Sequence, residues 1–496
     1  MRRNPLVGST GYYRLEMSKD NAHSPVLISR LRSVVGEQNV LVGDSERAAY
    51  ENDAYPLERA LPRCIVLPGA REEVAEVVKA CCAEGVSFSP RGAGTGLAGG
   101  TIIADGVSIG LSRLNRILEI DLRNRRMTAE TGVVNVQLSK SVAATGLCFA
   151  PDPSSQGAST LGGNISNNAG GPHTLKYGVT VNHLLSAGVV LPDGEMITIG
   201  DKTEDVNGYD LLGLVCGGEG TLGIVTDATV RLTSLPEAVH TLLCIFDNID
   251  NATLAVTKIL GSGIVPAAIE MMDKQIIATV EDAFHYGFPR SAAAVLIVEV
   301  DGLEFGIGRQ SETVKALCRD CGATEIRQAV EPSERAKLWS ARKKAIGTLG
   351  RLSPGIVTQD GVIPRSKLPE VLREIAKISV KYNLRIANVF HAGDGNLHPA
   401  VLFDPNIDGE VERVHTANRE ILMLCLSSGG TLTGEHGIGI EKREFMPLLF
   451  PAATLDTMSL IRACFNPAGL CNPGKVLPLD HGCSYELTGR LSGAAS

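Results

Sequence analysis

The sequence predicts an α+β protein of more than one domain, and three observations support this. The chain has 496 residues, more than one hydrophobic core usually organises, so roughly two to four units are expected. Short apolar runs alternate with helical segments from about residue 26 to residue 233. Near residue 234 the glycine density falls, and longer strand and helix patterns follow to about residue 330, before a helix-rich stretch at 366–480.

In the first region, apolar runs at 64–67 and 86–89 predict strands, and the segment 71–83 predicts a helix between them. Val74, Val77 and Val78 lie on one face of that helix, as in an α/β unit. Further strand-like runs lie around Ile109 and at 117–120, 127–130, 184–191 and 196–199. Pro192-Asp193-Gly194 separates the last two and predicts a hairpin.

In the second region, strands are predicted at 240–246, 294–300 and 324–327, and helices at 251–261, 273–284 and 310–321. This pattern favours an antiparallel sheet with helices on one face.

Composition and charge exclude several functional classes. The formal net charge is −8 and no long basic run is present, so nucleic-acid binding is not indicated. No apolar run reaches the about 18 residues of a membrane-spanning helix. Cys318 and Cys321 form the only CxxC, without the second pair that a metal cluster needs. We expect a cytoplasmic protein with a disordered leader at 1–25, which reaches a membrane only through partners.

Three glycine-rich segments predict a binding site for one long ligand. Residues 90–100 read PRGAGTGLAGG, residues 151–171 read PDPSSQGASTLGGNISNNAGG, and residues 217–225 read GGEGTLGIV. Successive free N–H groups in such loops form concave anion sites that suit a pyrophosphate, although each loop alone is also compatible with a tight turn. A dinucleotide has a suitable size, but the acidic residue of the Rossmann pattern is missing.

A second group of residues has the composition of a metal site. His391 and His398 flank Gly393-Asp394-Gly395-Asn396, which must break the preceding strand and lets both imidazoles point at one place. Farther on, Glu435-His436 lies between glycines. Two histidines and a carboxylate suit Zn, Mn or Fe(II). Each histidine taken alone is also compatible with a hydrogen-bonded buried residue.

The three glycine segments, in this order, resemble those of the vanillyl-alcohol-oxidase (PCMH-type) FAD-binding flavoproteins. Within them, the chain is most similar to the family of glycolate oxidase FAD-linked D subunits and D-lactate dehydrogenases, from about residue 28 to residue 479. The resemblance implies a PCMH-type FAD-binding domain of two α/β subdomains at 26–235. It also implies a ferredoxin-like α+β substrate or cap domain at 236–430, a helical segment at 431–480 that returns to the flavin, and a flexible tail at 481–496.

The resemblance also implies where FAD binds, and non-covalent binding is expected because the first loop contains no histidine. The implied pyrophosphate residues are Arg91, Gly92, Gly94, Thr95, Gly96, Leu97 and Gly99. Those implied along the ribityl chain and the flavin ring are Pro151, Asp152, Ser155, Gly162, Gly163, Asn168, Gly170, Gly220, Gly223, Ile224, Val225 and Asn472.

For the chemistry, the resemblance implies a divalent metal, Zn or Mn, bound by His391, His398 and Glu435. His436 matches the general base, which takes the hydroxyl proton while Cα gives a hydride to flavin N5. Arg342 matches the residue that binds the substrate carboxylate; Lys343 and Lys344 are alternatives, and a solvated basic helix face is another.

The predicted function is therefore FAD-dependent dehydrogenation of a small D-2-hydroxy acid, glycolate or D-lactate. Ala400, two positions after His398, favours a small monocarboxylate, because family members that use dicarboxylates have a polar residue there. With no cluster motif of its own, the chain is expected to pass electrons to a second flavin-type subunit and an iron–sulfur subunit, then to quinone. The alternatives are a stand-alone D-lactate dehydrogenase, a metallohydrolase using the His/His/Glu set, and a non-catalytic flavin-binding subunit.

Overall fold

The computed structural model describes residues 25–203 and 208–479. The predicted tail and, except for Pro25, the predicted leader lie outside these residues. The first sheet has the order β1-β2-β4-β3, in which β1 is antiparallel and the others are parallel. Its elements are α1 Pro25–Val35, β1 Val40–Leu41, α2 Asp44–Ala48, β2 Cys64–Val66, α3 Arg71–Ala83, β3 Phe88–Arg91 and β4 Val107–Gly110.

The predicted β-α-β arrangement in this sheet is confirmed. Val74, Val77 and Val78 of α3 are buried against β2 and β4, as the helical spacing of the valines indicates.

The second sheet is antiparallel throughout, with the order β5-β6-β10-β8-β9. The predicted hairpin is present, and Gly194 has the positive φ of +87° that its turn requires. The elements of this region are β5 Ile117–Asp121, β6 Arg126–Glu130, α4 Asn135–Val142, β7 Leu147–Cys148, α5 Leu161–Asn167, α6 Thr174–Tyr177, β8 Leu184–Val190, β9 Met196–Gly200, α7 Leu211–Val215, β10 Ile224–Arg231 and β11 Thr233–Ser234. Strands β7 and β11 are not part of the second sheet and form a separate antiparallel pair.

The third sheet has seven antiparallel strands in the order β15-β12-β14-β13-β17-β18-β16. Its elements are β12 Ala238–Phe246, α8 Ile249–Gly261, β13 Ala268–Asp273, α9 Lys274–Phe284, β14 Ala294–Gly302, α10 Glu304–Asp320, β15 Glu325–Ala329, α11 Pro332–Thr348, β16 Gly355–Thr358, α12 Leu368–Tyr382, β17 Arg385–His391 and β18 Pro399–Phe403. After it come α13 Glu410–Ser427, α14 Met446–Leu449 and α15 Ala452–Phe465.

The prediction that helices cover one face of this sheet is wrong. Helices α8, α10, α12 and α13 pack on one face, and α9 and α11 pack on the other. The physical reason is that the central strands are apolar on both faces, as in β14, where every residue from Ala294 to Asp301 is buried. Strands β17 and β18, in the stretch expected to be helix-rich, extend the same sheet.

The chain returns to the first sheet near its C-terminal end. Phe88 of β3 donates its backbone N–H to Leu470 at 2.9 Å and accepts one from Asn472 at 2.7 Å. No helix within the described ranges is long and apolar enough to cross a membrane. These two hydrogen bonds place the segment 470–472 beside the edge strand β3 of the first sheet.

Candidate active site

A cavity of about 330 Å³ lies where the three glycine-rich segments meet α11 and the loop 434–439. Arg342, His398, Glu435 and His436 line it on one side. Of the predicted cofactor residues, those in its wall are Gly92, Gly94, Thr95, Gly96, Leu97, Ser155, Gly162, Gly163, Gly220 and Val225. The predicted cofactor segments and the predicted reactive side chains therefore share one cavity.

The first glycine segment follows β3 and leaves its backbone open to this cavity. A Cβ at Gly92 would lie only 2.5 Å from Oγ1 of Thr160, and Gly94 adopts a φ of +69°. Larger residues would therefore clash at the first position and be strained at the second. The resulting bare backbone is suited to approach by a pyrophosphate.

His391 ends β17 and His398 directly precedes β18, so the intervening turn closes a hairpin and brings the two rings to a centroid distance of 5.0 Å. Oε1 of Glu435 lies 3.1 Å from Nε2 of His391 and 3.5 Å from Nε2 of His398. The three ligand atoms lie within 4.8 Å of one another. The predicted bend in the strand is confirmed, and the three side chains converge in the manner of a metal site.

Glu270 of β13 connects this cluster to α11. Its Oε1 lies 2.7 Å from Nδ1 of His391, and its Oε2 accepts a hydrogen bond from Nε of Arg342 at 2.6 Å. Burial alone would raise the pKa of Glu270, but His391 and Arg342 lower it below its ordinary value. Arg342 is 3% exposed, and its Nη2 has no hydrogen-bond partner among the described residues. Glu270 thus directs Nε2 of His391 toward Glu435 and leaves Nη2 of Arg342 without a hydrogen-bond acceptor in the described part of the chain.

Asp360 follows β16, and its carboxylate holds the loop 434–439 by binding the backbone N–H groups of that loop. Its carboxylate accepts N–H groups from Gly434 at 3.0 Å, Glu435 at 3.2 Å and His436 at 2.9 Å, and lies 3.5 Å from Nζ of Lys442. Burial alone would raise the pKa of Asp360, but His436, Lys442 and His398 lower it well below its ordinary value. Asp360, His398 and His436 also have the spacing of a metal set, but the loop amides already occupy this carboxylate.

The same loop is also held by Glu219, in the third glycine segment. Its two oxygens accept the N–H groups of Ile438 at 2.6 Å and Gly439 at 2.8 Å. A Cβ at Gly439 would lie 1.9 Å from the carbonyl oxygen of Ala98 in the first glycine segment. Main-chain contacts therefore fix the loop against both walls of the cavity.

His436 extends from this loop into the cavity. Its ring stacks on that of His398, with centroids 4.9 Å apart and an interplanar angle of 10°. Nδ1 has no hydrogen-bond partner among the described side chains and backbone. Burial lowers the pKa of His436 to about 4, with help from His398 and Lys442 and against the attraction of Asp360. The imidazole is therefore neutral near pH 7 and able to accept a proton.

The neighbouring charges favour an ionised Glu435. Burial alone would raise its pKa, but the hydrogen bond from His391 and the charges of the nearby histidines lower it to about 2. For His391, burial would lower the pKa, whereas Glu270 and Glu435 raise it well above its ordinary value. This pocket of two carboxylates around an imidazole attracts positive charge, whether a proton or a metal ion.

Comparison with known proteins agrees with this architecture. The family model for an FAD binding domain matches residues 62–200, and the model for the FAD linked oxidases, C-terminal domain, matches residues 235–476. The glycolate oxidase subunit GlcD of Escherichia coli (strain K12) is 42% identical over 472 residues, which cover 95% of each chain. The chain belongs to the family of FAD-linked oxidases.

Two further similarities complete this comparison. A D-lactate dehydrogenase of Anaerostipes hadrus is 30% identical over 471 residues, covering 92% of this chain and 98% of that protein. Among solved structures, p-cresol methylhydroxylase with bound substrate superimposes with a TM-score of 0.77 at 16% identity, over 92% of this chain and 97% of that one. The predicted α+β, PCMH-type fold is confirmed, and the chain is an FAD-dependent oxidoreductase.

Some predicted cofactor residues do not line the main cavity. The guanidinium of Arg91 lies beneath Gly94 and donates to Thr101 at 3.1 Å. Gly170 and His391 line a second cavity of about 190 Å³ on the other side of Glu435. The others whose side chains or backbone are absent from the main cavity wall are Gly99, Pro151, Asp152, Asn168, Gly223, Ile224 and Asn472.

Asn472 has a clear structural position away from the cavity surface. Its Nδ2 donates to the carbonyl oxygens of Gly100 at 2.9 Å and Glu219 at 2.7 Å, and its Oδ1 accepts from Ser89 at 2.9 Å. Asn472 therefore connects the first and third glycine segments with each other and with β3.

The sequence analysis missed Glu270, Asp360 and Glu219 as contributors to the site. Glu270 was detectable in principle as a charge in the middle of the otherwise apolar run 268–272, because a buried charge requires a partner. Asp360 and Glu219 stand beside glycines in loops and give no comparable signal.

Proposed function

We propose that this FAD-linked oxidase oxidises a small D-2-hydroxy acid, glycolate or D-lactate, to the 2-oxo acid. The observation that carries the proposal is that Arg342, His436 and Glu435 face the same cavity as the glycine-rich segments of the FAD site. The related proteins named above as a glycolate oxidase subunit and a D-lactate dehydrogenase support this substrate class.

Two side chains have the chemistry that such a substrate needs. Nη2 of Arg342 is unpaired and is positioned by the bond from Nε to Glu270, so it suits a carboxylate. Nδ1 of His436 is unpaired and neutral, so it suits the hydroxyl proton. Bound FAD supplies the hydride acceptor. Binding between these two groups would orient the substrate Cα toward the flavin.

We further propose that His391, His398 and Glu435 hold a divalent metal, Zn or Mn. The converging ligand atoms, the position of Nε2 of His398 at 3.5 Å from Glu435 and 3.4 Å from Asp360, and the bond from Glu270 to the far nitrogen of His391 all fit such a centre. A metal here would lower the pKa of the substrate hydroxyl.

Removal of the metal is expected to abolish flavin reduction by substrate while FAD remains bound. Dialysis against a chelator, followed by metal analysis and anaerobic mixing with glycolate, measures this. Re-addition of Zn²⁺ or Mn²⁺ should restore reduction. Full activity in a protein shown to be free of metal would contradict the metal proposal.

The substrate proposal is tested by the anaerobic visible spectrum of the full chain with FAD. Glycolate or D-lactate is expected to bleach the oxidised flavin, whereas L-lactate is not. The reason is that Arg342, His436 and the flavin have fixed relative positions, so only one enantiomer can present its Cα hydrogen to the flavin. Since the loop 90–100 has no histidine, acid precipitation should release all flavin as free FAD. An oxidised flavin that none of these acids bleaches would contradict the substrate proposal.

We also propose that the chain works as one subunit of a larger oxidase, as the name of the Escherichia coli relative, glycolate oxidase subunit GlcD, says of that protein. Within the described residues, no cysteines gather into a cluster site, so electrons would leave the flavin for a second flavin-type subunit and an iron–sulfur subunit. In that case the reduced isolated chain reacts slowly with a soluble quinone. Rapid reoxidation, combined with bleaching by D-lactate alone, would instead favour a stand-alone D-lactate dehydrogenase.

A further inference from the structure

A single carboxylate in the third sheet gathers side chains from three parts of the molecule. Glu299 lies in β14 and is 1% exposed. It accepts hydrogen bonds from both Nε and Nη2 of Arg335, at 2.9 and 2.8 Å, and from Nε1 of Trp339 at 2.7 Å. Nε2 of His173 lies 3.1 Å away, and Oγ1 of Thr241 donates at 2.5 Å. A buried carboxylate that accepts this many hydrogen bonds holds its donor side chains in fixed positions.

His173 brings the flavin side of the molecule to this point. It is the second residue after the second glycine-rich segment, and its Nδ1 lies 2.9 Å from Oδ2 of Asp152, at the start of that segment. Burial would lower the pKa of His173, but Asp152 and Glu299 raise it to about 10. The protonated ring therefore donates to both carboxylates through charge-assisted bonds.

Helix α11 brings the substrate side to the same point. Arg335, Trp339 and Arg342 are spaced at four and three residues, so all three lie on one face of the helix. Arg335 and Trp339 bind Glu299, whereas Arg342 binds Glu270 and lines the cavity. An uninterrupted series of contacts thus joins Asp152 to the helix that bears Arg342.

A second contact joins the segment that follows the second glycine-rich loop to β14, and this contact does not involve α11. Nζ of Lys176 pairs with the carboxylate of Asp301 and donates to its backbone oxygen at 2.7 Å. The hydroxyl of Tyr177 donates to the same carboxylate at 2.5 Å. This contact offers a matched control, because like the His173–Glu299 contact it ties the chain near the start of α6 to β14.

We propose that His173 and Glu299 are positioning residues that set Arg342 relative to the flavin. His173 ties the flavin-lining segment 151–171 to Glu299, and Glu299 fixes the helix from which Arg342 reaches the substrate carboxylate. The proposal rests on the proposed role of Arg342 as the carboxylate-binding residue. It goes beyond that role by assigning the alignment of two binding sites to one buried network.

The variant His173→Gln, in the full chain with FAD, tests the proposal by two independent measurements. Trp339 is the only tryptophan of the chain, and its ring lies 5.2 Å from that of His173. Its emission spectrum is therefore expected to change when the charged neighbour is lost. Affinity for oxalate, followed through flavin absorbance, is expected to fall about tenfold, and flavin reduction by glycolate to slow about tenfold to a hundredfold. FAD content should stay unchanged.

The control Lys176→Met is expected to alter neither the emission spectrum nor oxalate affinity. If Lys176→Met reproduces the effects of His173→Gln, a general loosening of the contact between the segment around residues 173–177 and β14 explains those effects, and the proposal fails. Should His173→Gln fold poorly, Arg335→Met removes the other charged partner of Glu299 from a half-exposed position and should weaken oxalate binding in the same way.

A double-mutant cycle with Arg342→Lys separates positioning from a merely structural role. If His173 acts through Arg342, the losses in oxalate affinity are not additive, and His173→Gln has little further effect once Arg342 is replaced. Additive losses would overturn the proposal. Failure of glycolate, D-lactate and other 2-hydroxy acids to bleach the wild-type flavin would overturn the proposed function instead, while the response of Trp339 still reports on the network.

Discussion

Replacing His436 with glutamine is expected to slow flavin reduction by glycolate or D-lactate about 10²–10⁴-fold, the usual contribution of a positioned general base. The substitution removes the neutral imidazole that lines the cavity. It leaves the loop in place, because Asp360 holds the backbone N–H of His436 and Asn167 holds its carbonyl oxygen at 3.1 Å. Anaerobic stopped-flow mixing at saturating substrate measures the rate constant directly.

A matched control is His415→Gln, an exposed histidine on α13, which should leave the reduction rate unchanged. FAD content and oxalate affinity are expected to be near wild type in both variants, since neither substitution alters Arg342 or the glycine segments. A reduction rate within threefold of wild type in the His436 variant would show that another group takes the proton.

Local features of the fold were predictable because they depend on neighbours in the sequence. The hairpin at Pro192-Asp193-Gly194 and the bend between His391 and His398 follow from residues that restrict the backbone within a few positions. The seven-stranded sheet was less predictable, because uniformly apolar strands such as β14 give no period that tells which face is covered.

The site was only partly predictable, for a related reason. His391, Glu435 and His436 stand in glycine-rich settings that mark them locally. The carboxylates that orient them do not, because their partners are distant: Glu219 holds Ile438 across 219 positions, and Glu270 holds Arg342 across 72. Such pairs form only when the sheets and loops come together, so the sequence shows a lone charge without showing its partner.

Loss of the Glu270 carboxylate is expected to lower the stability of the fold strongly. In Glu270→Gln the guanidinium of Arg342, 3% exposed, keeps its charge but loses its anionic partner. An uncompensated buried charge typically costs about 3–5 kcal/mol of folding free energy. The urea midpoint of the FAD-saturated protein should fall accordingly, and Glu325→Gln, which breaks an exposed pair with Arg327, should change it little.

The same substitution is expected to impair chemistry at two places, since Glu270 orients both Arg342 and His391. Loss of the bond to Nδ1 of His391 should weaken binding of the proposed metal about 10–100-fold, measured by competition with a chromogenic chelator. Loss of the bond to Nε of Arg342 should weaken oxalate binding in metal-saturated protein. A variant with unchanged metal affinity but weak oxalate binding would assign Glu270 to Arg342 alone. Unchanged values of both, with an unchanged urea midpoint, would show that Glu270 orients neither group.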